Sequence, residues 1–376
     1  MKIVIASDSF KGSLSGETIN KIWLNAAERE FPSCKIVPLI VADGGDGTLD
    51  AIIKQNNGEI ISVKVNNPLF ERINSRYGVF GDCAVISMCE CSGLTLIPKD
   101  RRNPLKTTSY GTGELIKHAV LSGKKKIYVT LGGSATNDGG TGALTALGFK
   151  FVKKDGSVAK GTGEELKEIV SITGSGAIDF SGAEIIILSD VTNPLTGKKG
   201  AAYTFARQKG ASDGDIKLLE SGMLNFQKVL SARYGMDAGK IVGGGAAGGM
   251  GAGLSVMLNA KIVSGVEEIL KIVDFDGKIK GADYIITGEG GIDGQSKDGK
   301  VISGVLKHAK KQGVPVIAVV GTIGEGFETL YKDGLVSVFS IIGKPSMLDE
   351  IISQSEGLYF QTATSVLRLL KTKRTE

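Results

Sequence analysis

Five short apolar runs, rich in Ile and Val, each stop at a carboxylate set among glycines or small polar residues. They are IVIAS before Asp8, IVPLIVA before Asp43, IYVTLGG upstream of Asp138, EIIILS before Asp190 and DYIITG before Glu289. Such runs suit strands buried on both faces, and parallel α/β sheets bind ligands beyond the carboxyl ends of their strands. The pattern predicts that acids far apart in sequence meet at one sheet margin. Grouped carboxylates repel one another unless cations neutralise them, and Mg²⁺ is the hard cation that takes oxygen ligands beside phosphates. Phosphoryl transfer is the first chemistry these residues suggest.

A chain of 376 residues exceeds one typical core, which predicts two domains. The opening strand leads into an amphipathic helix with Ile19, Ile22, Trp23, Ala26 and Ala27 on one face and Ser15 as its cap. A second β-loop-α unit runs through DGGDGT. Between about residues 59 and 97 the texture changes to EIISVKV, INSRYGVF and AVISMC, separated by Asn-Pro and Gly-Asp turns. Helical character returns at TGELIKHAVL and in a polar stretch at 212–234. From YIITGEG onward the chain is regular β-α-β, with a closing helix near 347–371. The two ends are alike in kind. The expected organisation is a discontinuous α/β domain of residues 1–80 plus 292–376, a second α/β domain of 81–291 inserted in it, and a cleft between them.

Composition narrows the function. There are 54 glycines where average usage gives about 26, clustered after the apolar runs, so backbone approaches a ligand closely. Aromatic residues make up only 6%, with the single Trp23, which argues against base-stacking platforms. The 45 basic and 40 acidic residues are scattered, without the Lys/Arg run of a nucleic-acid face, and a small anionic substrate fits better. Cys34, Cys83, Cys89 and Cys91 form no C-x-x-C pair, and MKIVIAS enters a strand directly; a cytoplasmic protein with reduced thiols is expected. No apolar run approaches the roughly 20 residues of a membrane helix. His118 and His308 are the only histidines, each expected as a half-exposed helix residue, so catalysis falls to Asp, Glu, Lys, Arg and backbone amides.

Several glycine-rich segments carry chemistry. GGGAAG, Gly243 to Gly248, fits G-x-G-x-x-G, but only Ile241 and Val242 precede it where a full strand is needed. It keeps an NAD-dependent hydroxy-acid dehydrogenase as an alternative; a phosphate cradle of backbone amides is the competing use. GQSKDGKV, Gly294 to Val301, falls one residue short of a Walker A loop, with Lys300 facing a phosphate or solvent. GGSATNDGG brings Ser134, Thr136, Asn137 and Asp138 to a helix start, an anion site; capping alone does not require its flanking glycines. DSFKGS sets Asp8, Lys11 and Ser13 directly after the first strand.

Taken together, SDSFKGS, VADGGDGT, RNPLKTTSYGTGELI, GGSATNDGG, DVTNPLTGKKGA, QKGA, GAAGGMGAGL and TGEGGIDGQS resemble the bacterial glycerate kinase type I family, in that order along almost the whole chain. The resemblance implies ATP-dependent phosphorylation of D-glycerate to 2-phosphoglycerate (or 3-phosphoglycerate) with Mg²⁺. It also implies a flavodoxin-like, parallel three-layer domain carrying the insertion. Four positions depart from the family pattern: Ser7 for Pro, Asp46 for Glu, Ser87 for Glu and Gly291 for Arg. The last two remove a carboxylate and a guanidinium together, as loss of an ion pair would. They also leave open a hydroxy-acid sensor or a divergent kinase with an altered substrate.

Phosphoryl transfer asks mainly for alignment and charge compensation. Asp190, ending a buried strand, is assigned the attacking hydroxyl, with Asp8 and Lys11 as further catalytic groups. Ser13, Arg76 and Asn193 are assigned to the substrate. Ser134, Asn137, Asp138, Gly243, Gly244, Gly245 and Gly248 are assigned to ATP, and Asp43, Asp46, Glu289 and Asp293 to Mg²⁺.

Overall fold

The computed structural model describes residues 1–42, 44–45, 47–297 and 300–372. In chain order the strands are β1 (Lys2–Ser7), β2 (Lys35–Ile40), β3 (Glu59–Asn66), β4 (Arg72–Phe80), β5 (Cys83–Ser87), β6 (Lys126–Thr130), β7 (Lys150–Lys153) and β8 (Ile169–Thr173). They continue as β9 (Glu184–Leu188), β10 (Lys261–Val263), β11 (Tyr284–Gly288), β12 (Gly291–Ile292), β13 (Val316–Val320), β14 (Thr322–Ile323) and β15 (Leu335–Ser340). Two compact units hold them: Met1–Asp43, Asp50–Asn56 and Gly265–Glu376 in the first, Gly44–Leu49 and Asn57–Ser264 in the second. The class is mixed α/β with parallel sheets, as the apolar runs indicate.

The first unit has an all-parallel sheet in the order β15-β13-β11-β1-β2. Ile3, Val4, Ile5 and Ala6 of the interior strand β1 are wholly buried, as their unbroken apolar run requires. β2 departs from expectation. It is an edge strand, open on one side, with Lys35 and Pro38 exposed; an edge accepts Pro38 because no ladder hydrogen bond is demanded of it. The helix Gly16–Glu30 buries Ile19, Trp23 and Ala26 against Tyr359, Ala363 and Val366 of the helix Leu348–Thr372. Ser15 caps it, its Oγ accepting from the Thr18 amide at 3.1 Å, and Trp23 Nε1 donates to Tyr359 Oη at 3.2 Å. His308 is buried rather than half-exposed. Its Nδ1 lies 2.7 Å from Asp276 Oδ1 and its Nε2 3.2 Å from Glu267 Oε2, tying the helix Val301–Gln312 to its neighbours. His118 is exposed and meets Tyr77 Oη at 2.9 Å.

The second unit has a six-stranded sheet in the order β10-β9-β6-β5-β4-β3. Four strands are parallel, and β4 and β3 are added antiparallel. The strands of residues 59–80, expected with the first domain, therefore extend the second unit's sheet, Gly78 pairing with Val85. Strand partnership is a long-range choice that the texture of residues 59–97 does not reveal. The later boundary likewise falls at 264/265, ahead of β11, rather than at 291/292. Among the described residues no helix is long and apolar enough to cross a membrane.

Candidate active site

In the first unit, β1 and β11 lie side by side with Ser7 opposite Gly288. Asp8 and Glu289 thus leave the same sheet margin together, and the Asp8 amide donates to Gly288 O at 2.9 Å. Asp8 is nearly buried, its Oδ1 accepting from the Ser9 amide at 2.7 Å. The chain then turns tightly. Phe10 and Leu14 exchange backbone hydrogen bonds of 2.7 and 3.0 Å and sink into the core, which leaves Lys11 and Ser13 displayed to solvent. Glu289 is buried and its Oε1 accepts from Ser296 Oγ at 2.9 Å and Lys300 Nζ at 3.2 Å. Burial pushes its pKa up, the Asp293 charge adds to this, and Lys300 and Ser296 oppose it. Asp293 accepts from the Gln295 amide at 2.9 Å. Glu289 and Asp293 offer the kind of oxygen ligand that Mg²⁺ takes, an ion that usually uses one or two protein carboxylates. Among the described residues no group of three or more metal-binding side chains is gathered, and Asp43 and Asp46 lie outside the described residues.

In the second unit the equivalent neighbours are β6 and β9, with Thr130 opposite Leu188. The loop after β9 carries half-buried Asp190 and Asn193, and Asn193 O accepts from the Gly245 amide at 3.0 Å. Asn193 Nδ2 donates to Lys199 O at 2.8 Å. The loop after β6 carries Ser134, Asn137 and Asp138, and the Gly139 amide donates to Gly248 O at 2.9 Å. Both loops therefore pack on the glycine-rich segment Gly243 to Gly249. That segment needs glycine where it does so: Gly248 has φ of 67°, and a Cβ there would stand 2.1 Å from Thr136 O. No strand precedes Gly243, so the strand-turn-helix of a dinucleotide fingerprint is not formed.

Asp138 is wholly buried and saturated. It accepts from the Ser109 amide (2.8 Å), Ser109 Oγ (2.7 Å), the Gly140 amide (3.0 Å) and the Gly142 amide (3.2 Å). Burial pushes its pKa up, and these donors oppose the shift. The arrangement makes Asp138 an anchor for the loop. Lys209 was not singled out in the sequence; only the QKGA segment of the resemblance marks it. It is buried, with Nζ donating to Ser134 Oγ at 2.8 Å and Thr136 O at 2.6 Å. Burial pushes its pKa down to about 7, against the pull of Asp138. Arg76 lies on β4, where Glu90 engages it at 3.0 and 3.2 Å. Ser87 ends β5 in the second unit, accepting from Thr130 Oγ1 at 3.2 Å, and Gly291 lies on β12 in the first.

Parallel sheets whose carboxyl margins carry acids and glycine-rich loops are the equipment of an α/β phosphotransferase. The glycerate kinase family model matches residues 3–371. A glycerate kinase of Halalkalibacterium halodurans is 40% identical over 368 residues, 97% of each chain. A glycerate 2-kinase of Escherichia coli is 40% identical over 353 residues, 93% of each chain. A crystal structure of glycerate kinase 2 from Salmonella typhimurium LT2 superposes with a TM-score of 0.90 at 38% identity, covering 100% of both chains. The chain belongs to the glycerate kinase family: it is a phosphotransferase with an alcohol group as acceptor, acting on the small molecule glycerate with ATP as donor.

Proposed function

We propose that the chain transfers the γ-phosphoryl group of ATP to the C2 hydroxyl of D-glycerate, giving 2-phosphoglycerate, in the cytoplasm and with Mg²⁺. The match of the family over residues 3–371 carries the reaction, and likeness to a relative named glycerate 2-kinase supports the C2 position. Mg²⁺, when bound, supplies charge neutralisation at the phosphates. Glu289 and Asp293 are the described residues that would hold it, and Asp8 leaves the strand adjoining that of Glu289.

Asp190 is assigned the acceptor hydroxyl, whose proton it orients and accepts as the new P–O bond forms. Lys11 and Ser13, displayed on their clamped turn, are assigned to anionic oxygens of the substrates. Gly243 to Gly248 are assigned to the phosphates of ATP through backbone amides. ADP release measured over D-glycerate, L-glycerate and related hydroxy acids, with and without Mg²⁺, tests the reaction. Direct consumption of the product by an enolase distinguishes 2-phosphoglycerate from 3-phosphoglycerate. A nicotinamide absorbance change with glycerate and no ADP would instead support a dehydrogenase.

A further inference from the structure

The loop after β6 is held with unusual completeness except at two consecutive residues. Ser134 Oγ and Thr136 O both receive the buried ammonium of Lys209, Asp138 has four donors, and Thr141 Oγ1 donates to Asp138 O at 2.7 Å. Between these fixed points stand Thr136 and Asn137, both 0% exposed. Thr136 Oγ1 and both polar atoms of the Asn137 amide, Oδ1 and Nδ2, have no hydrogen-bond partner among the described residues. Buried polar groups are almost always paired, and leaving a donor or acceptor unpaired costs the whole of its desolvation. Three such atoms on adjacent residues, in a loop otherwise saturated, mark a place built for a ligand.

The orphaned set identifies the ligand's chemistry. It comprises one amide donor, one carbonyl acceptor and one hydroxyl that serves as either. A phosphate chain offers acceptors alone and would leave Oδ1 unpaired. An α-hydroxy carboxylate offers acceptor oxygens and a hydroxyl donor on adjoining atoms, and so satisfies all three. A Cβ on Gly248 would lie 2.5 Å from Asn137 Cα, and one on Gly163 would lie 2.9 Å from Asn137 O, so glycine backbone packs directly on the backbone of this residue. With Thr136 and Asn137 wholly enclosed, a three-carbon acid suits the place better than a nucleobase does. We infer that Asn137 and Thr136 recognise the hydroxy-acid substrate, and that Lys209 is the positioning residue that fixes their loop. This deepens the phosphotransfer reading above, and it moves Asn137 from the nucleotide side, where the sequence set it, to the acceptor side.

The test uses the full chain with Asn137→Leu, which keeps the shape and removes both polar atoms, and Thr136→Val as a second, isosteric variant. Asn137→Leu should melt at or above the wild-type temperature, because orphaned polar atoms have been removed. Its KM for D-glycerate should rise at least tenfold while its KM for ATP stays within twofold. The thermal shift given by D-glycerate alone should disappear, and that given by a non-hydrolysable ATP analogue should remain. Thr136→Val should raise the D-glycerate KM at least threefold by the same criteria. Unchanged KM values with a lowered melting temperature would show an amide satisfied by a buried water and overturn the inference. A raised ATP KM with D-glycerate unaffected would overturn it in favour of the nucleotide base. If the wild type releases no ADP with any hydroxy acid, the phosphotransfer reading fails. The thermal-shift comparison across the same acids still decides the role of Asn137.

Discussion

The backbone amide of Asp8 donates to the carbonyl of Gly288 at 2.9 Å, so the last pairing of β1 with β11 sets Asp8 and Glu289 side by side at one sheet margin. Parallel pairing alone achieves this, since strands running together end together. The carboxylate of Glu289 stays buried beside Ser296 and Lys300; burial pushes its pKa up, and the Lys300 charge and the Ser296 hydrogen bond oppose the shift.

Glu289→Gln should accordingly raise the Mg²⁺ concentration giving half-maximal rate by about tenfold or more. Thermal stability should be kept, because a desolvated carboxylate is replaced by a neutral isostere. A Mg²⁺ titration of ADP release checks this; an unaltered titration curve would remove Glu289 from the metal site.

Asp190→Asn preserves shape and removes the carboxylate proposed to accept the hydroxyl proton. Turnover should fall by about 10² to 10⁴-fold with the melting temperature unchanged, because Asp190 is only half-buried at a loop. A rate within threefold of wild type would mean that the hydroxyl is handled elsewhere.

Asp138→Asn should be a folding mutant first. The amide cannot accept all four hydrogen bonds from Ser109, Gly140 and Gly142, and its NH₂ group faces donors. A loss of about 3 kcal/mol in urea unfolding is expected, with Ser109→Ala costing about 1 kcal/mol. Equal, small losses for both would contradict the anchoring role.

Lys209 gives a pH signature. Its pKa is pushed down from 10.5 to about 7 in the folded state, so between these values the unfolded chain binds the extra proton and stability rises with pH. Below about pH 7 both states are protonated and the contribution is constant. Relative to Lys209→Met, the wild type should gain stability from pH 7 to 10, with a slope of up to about 1.4 kcal/mol per pH unit. A stability difference that does not vary with pH would exclude a strongly shifted Lys209.

Much of this molecule is written locally. The apolar runs that become β1, β6, β9 and β11, the Ser15 cap, and the helices Asp213–Tyr234 and Leu348–Thr372 follow from hydrophobic period and capping chemistry, which act over a few residues. So does the placing of Asp8, Asp190 and Glu289 directly beyond strands. Two residues whose surroundings the sequence did not reveal share a cause. Lys209 looks like a surface lysine until folding buries it against Ser134 and Thr136, and Arg76 looks free until the Cys89–Ser92 helix presents Glu90.

The sequence by itself determined the fold class, the strand endings that carry the acids, and the family. Tertiary structure alone decided that residues 59–80 join the second sheet, that β2 is an edge, that His308 is buried between Glu267 and Asp276, and that the Asn137 amide finds no hydrogen-bond partner among the described residues. The physical reason is range. Periodicity and capping are settled among neighbours, whereas strand partnership, burial and the fate of a polar atom depend on residues that folding brings from far along the chain.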